Sequence, residues 1–87
     1  MRVRVLYFGV LKEIFSRENE MLELAQGMDV SGLLRMYRES GRAPASLWDS
    51  LAVAVNQEYA RAENLLREGD EVALLPPVSG GRAGNRE

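Results

Sequence analysis

The sequence predicts an α+β domain, a mixed sheet of about five strands crossed by one main helix. Three observations carry this. Apolar residues alternate with a period of two near both ends and in the middle of the chain: Val3, Val5 and Tyr7; Leu51, Val53 and Val55; Val72 and Leu74. Between them one stretch has a helical period, with Val30, Leu33, Leu34 and Tyr37 at i, i+3, i+4 and i+7. The chain has 87 residues, enough for a single small core and no more.

Each element has a local reason. Residues 2–8 read as a strand whose inward side chains are Val3, Val5 and Tyr7, which turns Phe8 outward, and Gly9 ends it. Val10 to Phe15 reads as a short helix, with Val10 or Leu11 on one side together with Ile14 and Phe15. After the polar turn Arg17-Glu18-Asn19, a second strand runs from Glu20 to Leu24. Leu22 and Leu24 point inward, and the short connection favours antiparallel pairing with the first strand. Asp29 is a good N-cap for the main helix and Gly41 a good stop. Gly32 weakens that helix by roughly 1 kcal/mol relative to alanine, so packing must hold it. Pro44 to Ser50 reads as a loop with a single turn around Leu47 and Trp48, which makes Trp48 a satellite of the core. A third strand over residues 51–55 turns at Asn56-Gln57 into a short return strand, Glu58-Tyr59-Ala60. A linker with Leu65 and Leu66 reaches Glu68-Gly69-Asp70, and the last strand runs from Glu71 to Pro76, with Val72 and Leu74 inward and Leu75 outward.

Strands at both ends of the domain can pair in parallel at the sheet centre. With one long helix crossing the sheet, this order is the β-grasp arrangement, the fold of ubiquitin. The domain is expected over residues 1–77, a slim tail over 78–81 and an extension over 82–87. Residues 77–87, rich in Gly, Ser, Arg and Asn, are expected to be a flexible tail.

Composition narrows the function. The net charge is −2 and the arginines are scattered along the chain, so neither nucleic acid nor an acidic lipid surface is an expected partner. There is no cysteine and no histidine. That excludes disulfides, thiol nucleophiles, most zinc sites and histidine-based triads, and it fits a reducing cytoplasm. No bound metal or cofactor is expected. The N-terminus runs straight into a strand pattern with no signal peptide, and no apolar run is long enough to span a bilayer.

The tail is the most informative segment. Gly80-Gly81 alone reads as a linker or a cloning remnant, but here it follows a strand and Pro76-Pro77-Val78-Ser79. The prolines cannot continue a ladder and favour an extended chain. Glycine lacks the Cβ that would block close approach, so such a tail suits insertion into another protein's narrow site. Phe8 and Leu75, outward on two strands expected to be neighbours, would form an apolar patch beside the tail's exit. Cover by the protein's own loops is the alternative.

Three groups of residues together resemble a known family. Val5-Leu6-Tyr7-Phe8-Gly9, Ala54-Val55-Asn56-Gln57, and Gly69-Asp70-Glu71-Val72-Ala73 followed by Pro76-Pro77-Val78-Ser79-Gly80-Gly81 are similar to the small subunits of molybdopterin synthase. These are the MoaD type of the MoaD/ThiS ubiquitin-like sulfur carriers, and the resemblance covers residues 2–81. It implies a non-catalytic sulfur-donor subunit whose reactive group is the main-chain carboxylate of Gly81, with Gly80 helping the tail to thread. An activating enzyme would use ATP to adenylate that carboxylate, and a sulfur donor would convert it to a thiocarboxylate. A large catalytic subunit, in a two-fold heterotetramer, would then use the sulfur to build the dithiolene of molybdopterin from a cyclic pyranopterin precursor. By the same resemblance Phe8, Tyr59 and Leu75 contact the large subunit, with Pro76, Val78 and Ser79 along the tail. Lys12 falls where the family often has a basic residue near its partners, although a solvated helix face explains it equally. Asp70 reads as ordinary turn chemistry beside Gly69.

One feature departs from the family. Gly81 is followed by Arg82-Ala83-Gly84-Asn85-Arg86-Glu87, and while it sits in a peptide bond it has no carboxylate to adenylate. Proteolytic removal, a fusion that is cut apart, and a cloning addition or inactive copy all account for this; removal is the reading adopted, because the residues before it keep every feature the chemistry needs. Other functions that fit the same pattern are a carrier for thiamine, cysteine or tungsten-cofactor synthesis, a protein modifier joined through Gly81, and a passive β-grasp interaction module.

Overall fold

Eight elements follow one another in the computed structural model, which describes residues 1–77. They are β1 (Arg2–Tyr7), α1 (Val10–Phe15), β2 (Asn19–Glu23), α2 (Val30–Ser40), α3 (Ala45–Asp49), β3 (Ala52–Val55), β4 (Glu58–Tyr59) and β5 (Glu71–Leu75). The strands form one sheet in the order β2-β1-β5-β3-β4. β1 and β5 pair in parallel at its centre, and the other pairs are antiparallel. This is the β-grasp arrangement the element order implies.

The inward residues of β1 and β5 behave as their alternation predicts. Val3, Val5, Tyr7, Val72 and Leu74 are buried, and α2 closes over them with Val30, Leu33 and Tyr37. In α1, Leu11 and Phe15 are buried while Val10 stays exposed. At the start of α2, Asp29 Oδ1 accepts hydrogen bonds from the Gly32 N–H at 2.9 Å and the Ser31 hydroxyl at 2.7 Å. Those two donors stabilise the ionised form, and they hold the Asp29 carboxyl below its usual range. Gly32 has a packing reason as well, since a Cβ there would lie 3.0 Å from Met28 Cγ. The helix ends at Gly41 in the left-handed conformation, its N–H donating to the Arg38 carbonyl.

Two expectations need correction. Residues 45–49, expected as part of a loop, form the short helix α3, and an ion pair between Arg38 and Asp49 ties it to α2. Trp48 is not a satellite. It is 2% exposed and stacks on Tyr37 at 5.1 Å between ring centroids, while Tyr7 stacks on Phe15 at 4.5 Å. The four rings meet edge to face between these stacks, an arrangement that adds to their area burial. A turn of helix is what points Trp48 inward, and that gain outweighs the weak local signal of a five-residue segment. The hydroxyls of Tyr7 and Tyr37 lie 2.9 Å apart within the core. Burial raises the pKa of both phenols, and for Tyr37 the bond to Tyr7 adds to the rise.

The strands end slightly differently from the sequence reading. β5 stops at Leu75 because Pro76 has no N–H to donate, and β1 stops at Tyr7, one residue before Phe8. Among the described residues no helix is long and apolar enough to cross a membrane.

Candidate functional site

The sheet face turned away from α2 can be assembled from the register alone. Leu6 of β1 lies opposite Ala73 of β5, Ala73 opposite Ala54 of β3, and Ala54 opposite Tyr59 of β4. These four residues make one row across four strands, about 14 Å from end to end at roughly 4.8 Å per strand. In the next row Leu75 lies opposite Ala52. Continuing the β1–β5 register one step past Tyr7 and Leu74 brings Phe8 beside Leu75.

Two of the predicted interface residues stand clear of the surface. Phe8 is 40% exposed and Tyr59 81%. Leu75 faces outward as its alternation predicts but is half-buried, because Phe8 and Ala52 flank it. The alanines between Leu6 and Tyr59 carry little bulk, Ala54 being buried and Leu6 and Ala73 half-buried, so the row is an apolar strip bounded by two large side chains. A continuous apolar strip of this kind is a surface suited to a protein partner.

Lys12, exposed on α1, lines a shallow recess of about 200 Å³ together with Leu6, Phe8, Glu18 and Asn19. It therefore sits next to the Phe8 end of the strip, with Glu18 as a nearby counter-charge. At the Tyr59 end a wider open groove of about 630 Å³ is lined by Val55, Ala60, Leu65, Arg67 and Asp70. Phe8 and Tyr59 belong to one face but lie on β1's end and β4, with two strands between them.

The two turns beside that groove are tied together. Asn56 and Gln57 both have positive φ, 52° and 73°, as a two-residue hairpin between β3 and β4 requires. The Asn56 amide donates to Asp70 Oδ1 at 2.9 Å and accepts the Glu71 N–H at 3.0 Å. Asp70 Oδ2 in turn accepts the Arg67 N–H at 2.9 Å. Asp70 thus does turn chemistry, as its neighbours in sequence indicate, and Asn56 anchors the start of β5.

Pro76 is half-buried at the end of β5 and Pro77 exposed. Val78, Ser79, Gly80 and Gly81, and the extension from Arg82 to Glu87, lie outside the described residues. The sequence reading missed Leu6, Ala52, Ala54 and Ala73 as members of the face. Strand alternation marks all four as outward, but only the strand order shows that they adjoin.

Comparison with known proteins shows which proteins the whole chain is similar to. The curated relatives include the molybdopterin synthase sulfur carrier subunit of Chlamydomonas reinhardtii, 36% identical over 93% of this chain and all of that one. The proteins of the same name from Escherichia coli K12 and Homo sapiens are 35% and 31% identical, covering 91% and 92% of this chain and 99% and 94% of theirs. Among solved structures, the complex of subunits 1 and 2 of molybdopterin-converting factor from Helicobacter pylori contains a similar chain, with 30% identity and a TM-score of 0.66. That likeness covers 93% of this chain and all of that one. SAMP1 from Haloferax volcanii shares the fold with a TM-score of 0.78 at 24% identity, over 93% of this chain and all of that one. The profile of the ThiS family matches residues 5–81, from the first strand through the second glycine of the pair, and the chain belongs to that family.

Proposed function

We propose that this protein is the sulfur-carrier subunit of a molybdopterin synthase, and that its reactive group is the α-carboxylate of Gly81 once Gly81 is the last residue. The observation that carries the reading is the family match, which runs to Gly81 and stops there, leaving only residues 82–87 outside it at that end. Relatives from a bacterium, an alga and an animal that bear the same name span nearly the whole chain.

The chemistry rests on the tail. An activating enzyme takes the Gly81 carboxylate to an acyl-adenylate with ATP, releasing pyrophosphate. A sulfur donor then displaces AMP and leaves a thiocarboxylate. Neither step asks for a nucleophile, acid or base from the carrier's side chains, which is compatible with a chain that has no Cys or His. The carrier's own contribution is to dock and to present its end. In this reading the strip from Leu6 and Phe8 to Tyr59 seats against the large subunit, while Gly80 and Gly81 enter a passage too narrow for a Cβ. Lys12 supplies a positive charge at the rim of that contact. The location is cytoplasmic, where the activating partner finds ATP.

For the carboxylate to exist, the Gly81–Arg82 peptide bond must be hydrolysed, water supplying the hydroxyl to Gly81 and the proton to the amine of Arg82. The test expresses the full chain with its activating enzyme and large subunit, then combines intact-mass measurement with a molybdopterin assay. A species ending at Gly81, with sulfur in place of one oxygen, and molybdopterin formed from the pterin precursor are expected. Gly81→Ala should lose activation without a change in melting temperature. A carrier with a confirmed Gly81 terminus that yields no product would overturn the proposal.

A further inference from the structure

The start of the tail is held by a contact that the chemistry of Gly81 does not explain. The parallel register places β1 residues beside β5 residues from Arg4–Glu71 to Tyr7–Leu74. Two steps further, Gly9 falls beside Pro76. Both residues leave the ladder there: Pro76 has no N–H, and Gly9 turns away with φ 56° and ψ −133°. That backbone conformation is essentially confined to glycine. A Cβ built on Gly9 would lie 3.2 Å from Pro76 Cγ and 4.0 Å from Cδ, so the proline ring rests against the bare Cα of Gly9. Gly9 is itself held, because its carbonyl accepts the Lys12 N–H and the Phe8 carbonyl accepts the Leu11 N–H, each at 3.1 Å.

From this we propose that Gly9 is a positioning residue for the sulfur-carrying tail: its missing side chain seats the Pro76 ring and so sets the direction in which the tail leaves the domain. The inference rests on the sulfur-carrier reading. A turn from β1 into α1 accounts for the positive φ of Gly9, but it does not account for the proline packed on it. Pro76 fixes its own φ near −65°, so the point and direction in which the chain leaves Pro76 follow its ring. A Cβ on Gly9 would push that ring by a few tenths of an ångström and strain the turn that holds Gly9. A misplacement of about 1 Å at a reacting centre is enough to cost roughly a hundredfold in rate.

The experiment compares the full chain with Gly9→Ala, Pro76→Ala and the double variant, each co-expressed with the activating enzyme and large subunit in cells without a carrier of their own. Affinity for the large subunit is measured by calorimetry and sulfur transfer as molybdopterin formed per carrier. Gly9→Ala should bind the large subunit within about threefold of the original chain yet transfer sulfur at least about tenfold more slowly, a split between docking and turnover. Pro76→Ala, which removes the ring, should lose turnover to a similar degree. The double variant should be no worse than Pro76→Ala, because the added methyl then meets no ring. Wild-type turnover in a folded Pro76→Ala protein would overturn the inference, as would additive losses in the double variant or a loss that tracks melting temperature. Should Gly9→Ala fail to fold, Pro76→Ala decides by itself. A partner-free check is the NMR contact between the Gly9 α-protons and the Pro76 ring in the full chain; its absence also refutes the inference. Failure of the unaltered chain to make molybdopterin would count against the sulfur-carrier reading and leave that contact standing.

Discussion

Replacing Asn56 with alanine should destabilise this domain markedly. The residue does three things at once. Its side chain donates to Asp70 and accepts from the Glu71 N–H, and its backbone occupies the left-handed region at φ 52°. Each hydrogen bond contributes about 0.5–1.5 kcal/mol net. Both are exposed, so the lower half of that range applies to each. The left-handed backbone adds about 1 kcal/mol when alanine, which lacks asparagine's tolerance for it, is placed there. The sum is about 2–3 kcal/mol, a large share of the stability of a domain this small. Urea unfolding followed by the fluorescence of Trp48 measures it, and the midpoint should fall with little change in slope. Asn56→Gly keeps the backbone geometry, so it should recover about 1 kcal/mol of the loss. Asp70→Ala removes a shared bond, so the double variant should lose less than the sum of the singles. A loss below about 0.5 kcal/mol for Asn56→Ala, or additivity with Asp70→Ala, would refute the account of β5 as a strand anchored through this side chain.

Two further outcomes concern the core and the helix cap. Tyr37→Phe strips the Tyr7 hydroxyl of its buried partner and should cost about 1–3 kcal/mol, whereas Tyr7→Phe with Tyr37→Phe together should cost less than either alone. Both phenols have pKa values raised by burial. Their neutral forms therefore contribute stability that is complete below the unfolded value of about 10 and is lost as pH rises above it. Alkaline unfolding monitored by circular dichroism should begin above about pH 10, and the double phenylalanine variant should shift it upward. Asp29 has the opposite sign. Its lowered pKa means that its contribution is present above the unfolded value of about 4 and disappears as pH falls through the folded value. The melting-temperature gap between the original chain and Asp29→Ala should narrow between about pH 6 and about pH 3, and a gap that stays constant would refute the cap's charge dependence.

Much of the architecture is legible in the order of the residues. The alternation of Val3, Val5 and Tyr7, the helical spacing from Val30 to Tyr37 and the stops at Gly9 and Gly41 are all local signals, and local signals are what a sequence displays. Asp29 and Asn56 likewise announce a cap and a turn. The less legible features depend on neighbours distant in the chain. α3 reads as a loop because five residues carry too little periodicity to show a helix. Trp48 reads as lying outside the main core because nothing near it in sequence shows that Tyr37 and Phe15 will receive it.

The same division runs through the site. The amino-acid order alone determined the β-grasp class, the two-glycine tail with its proline brake, and Phe8 as an outward apolar residue; Tyr59 entered only through the family resemblance. Only the tertiary structure decided that Leu6, Ala73, Ala54 and Tyr59 form one row, that Leu75 is half-covered, and that Gly9 bears the ring of Pro76. The reason is physical. Alternation says which way a side chain points, but the register between strands says what it meets, and here β1 meets a strand 67 residues later in the chain. That pairing is settled by burying Val3, Val5, Val72 and Leu74 together on one face, and the arrangement of the opposite face is its consequence.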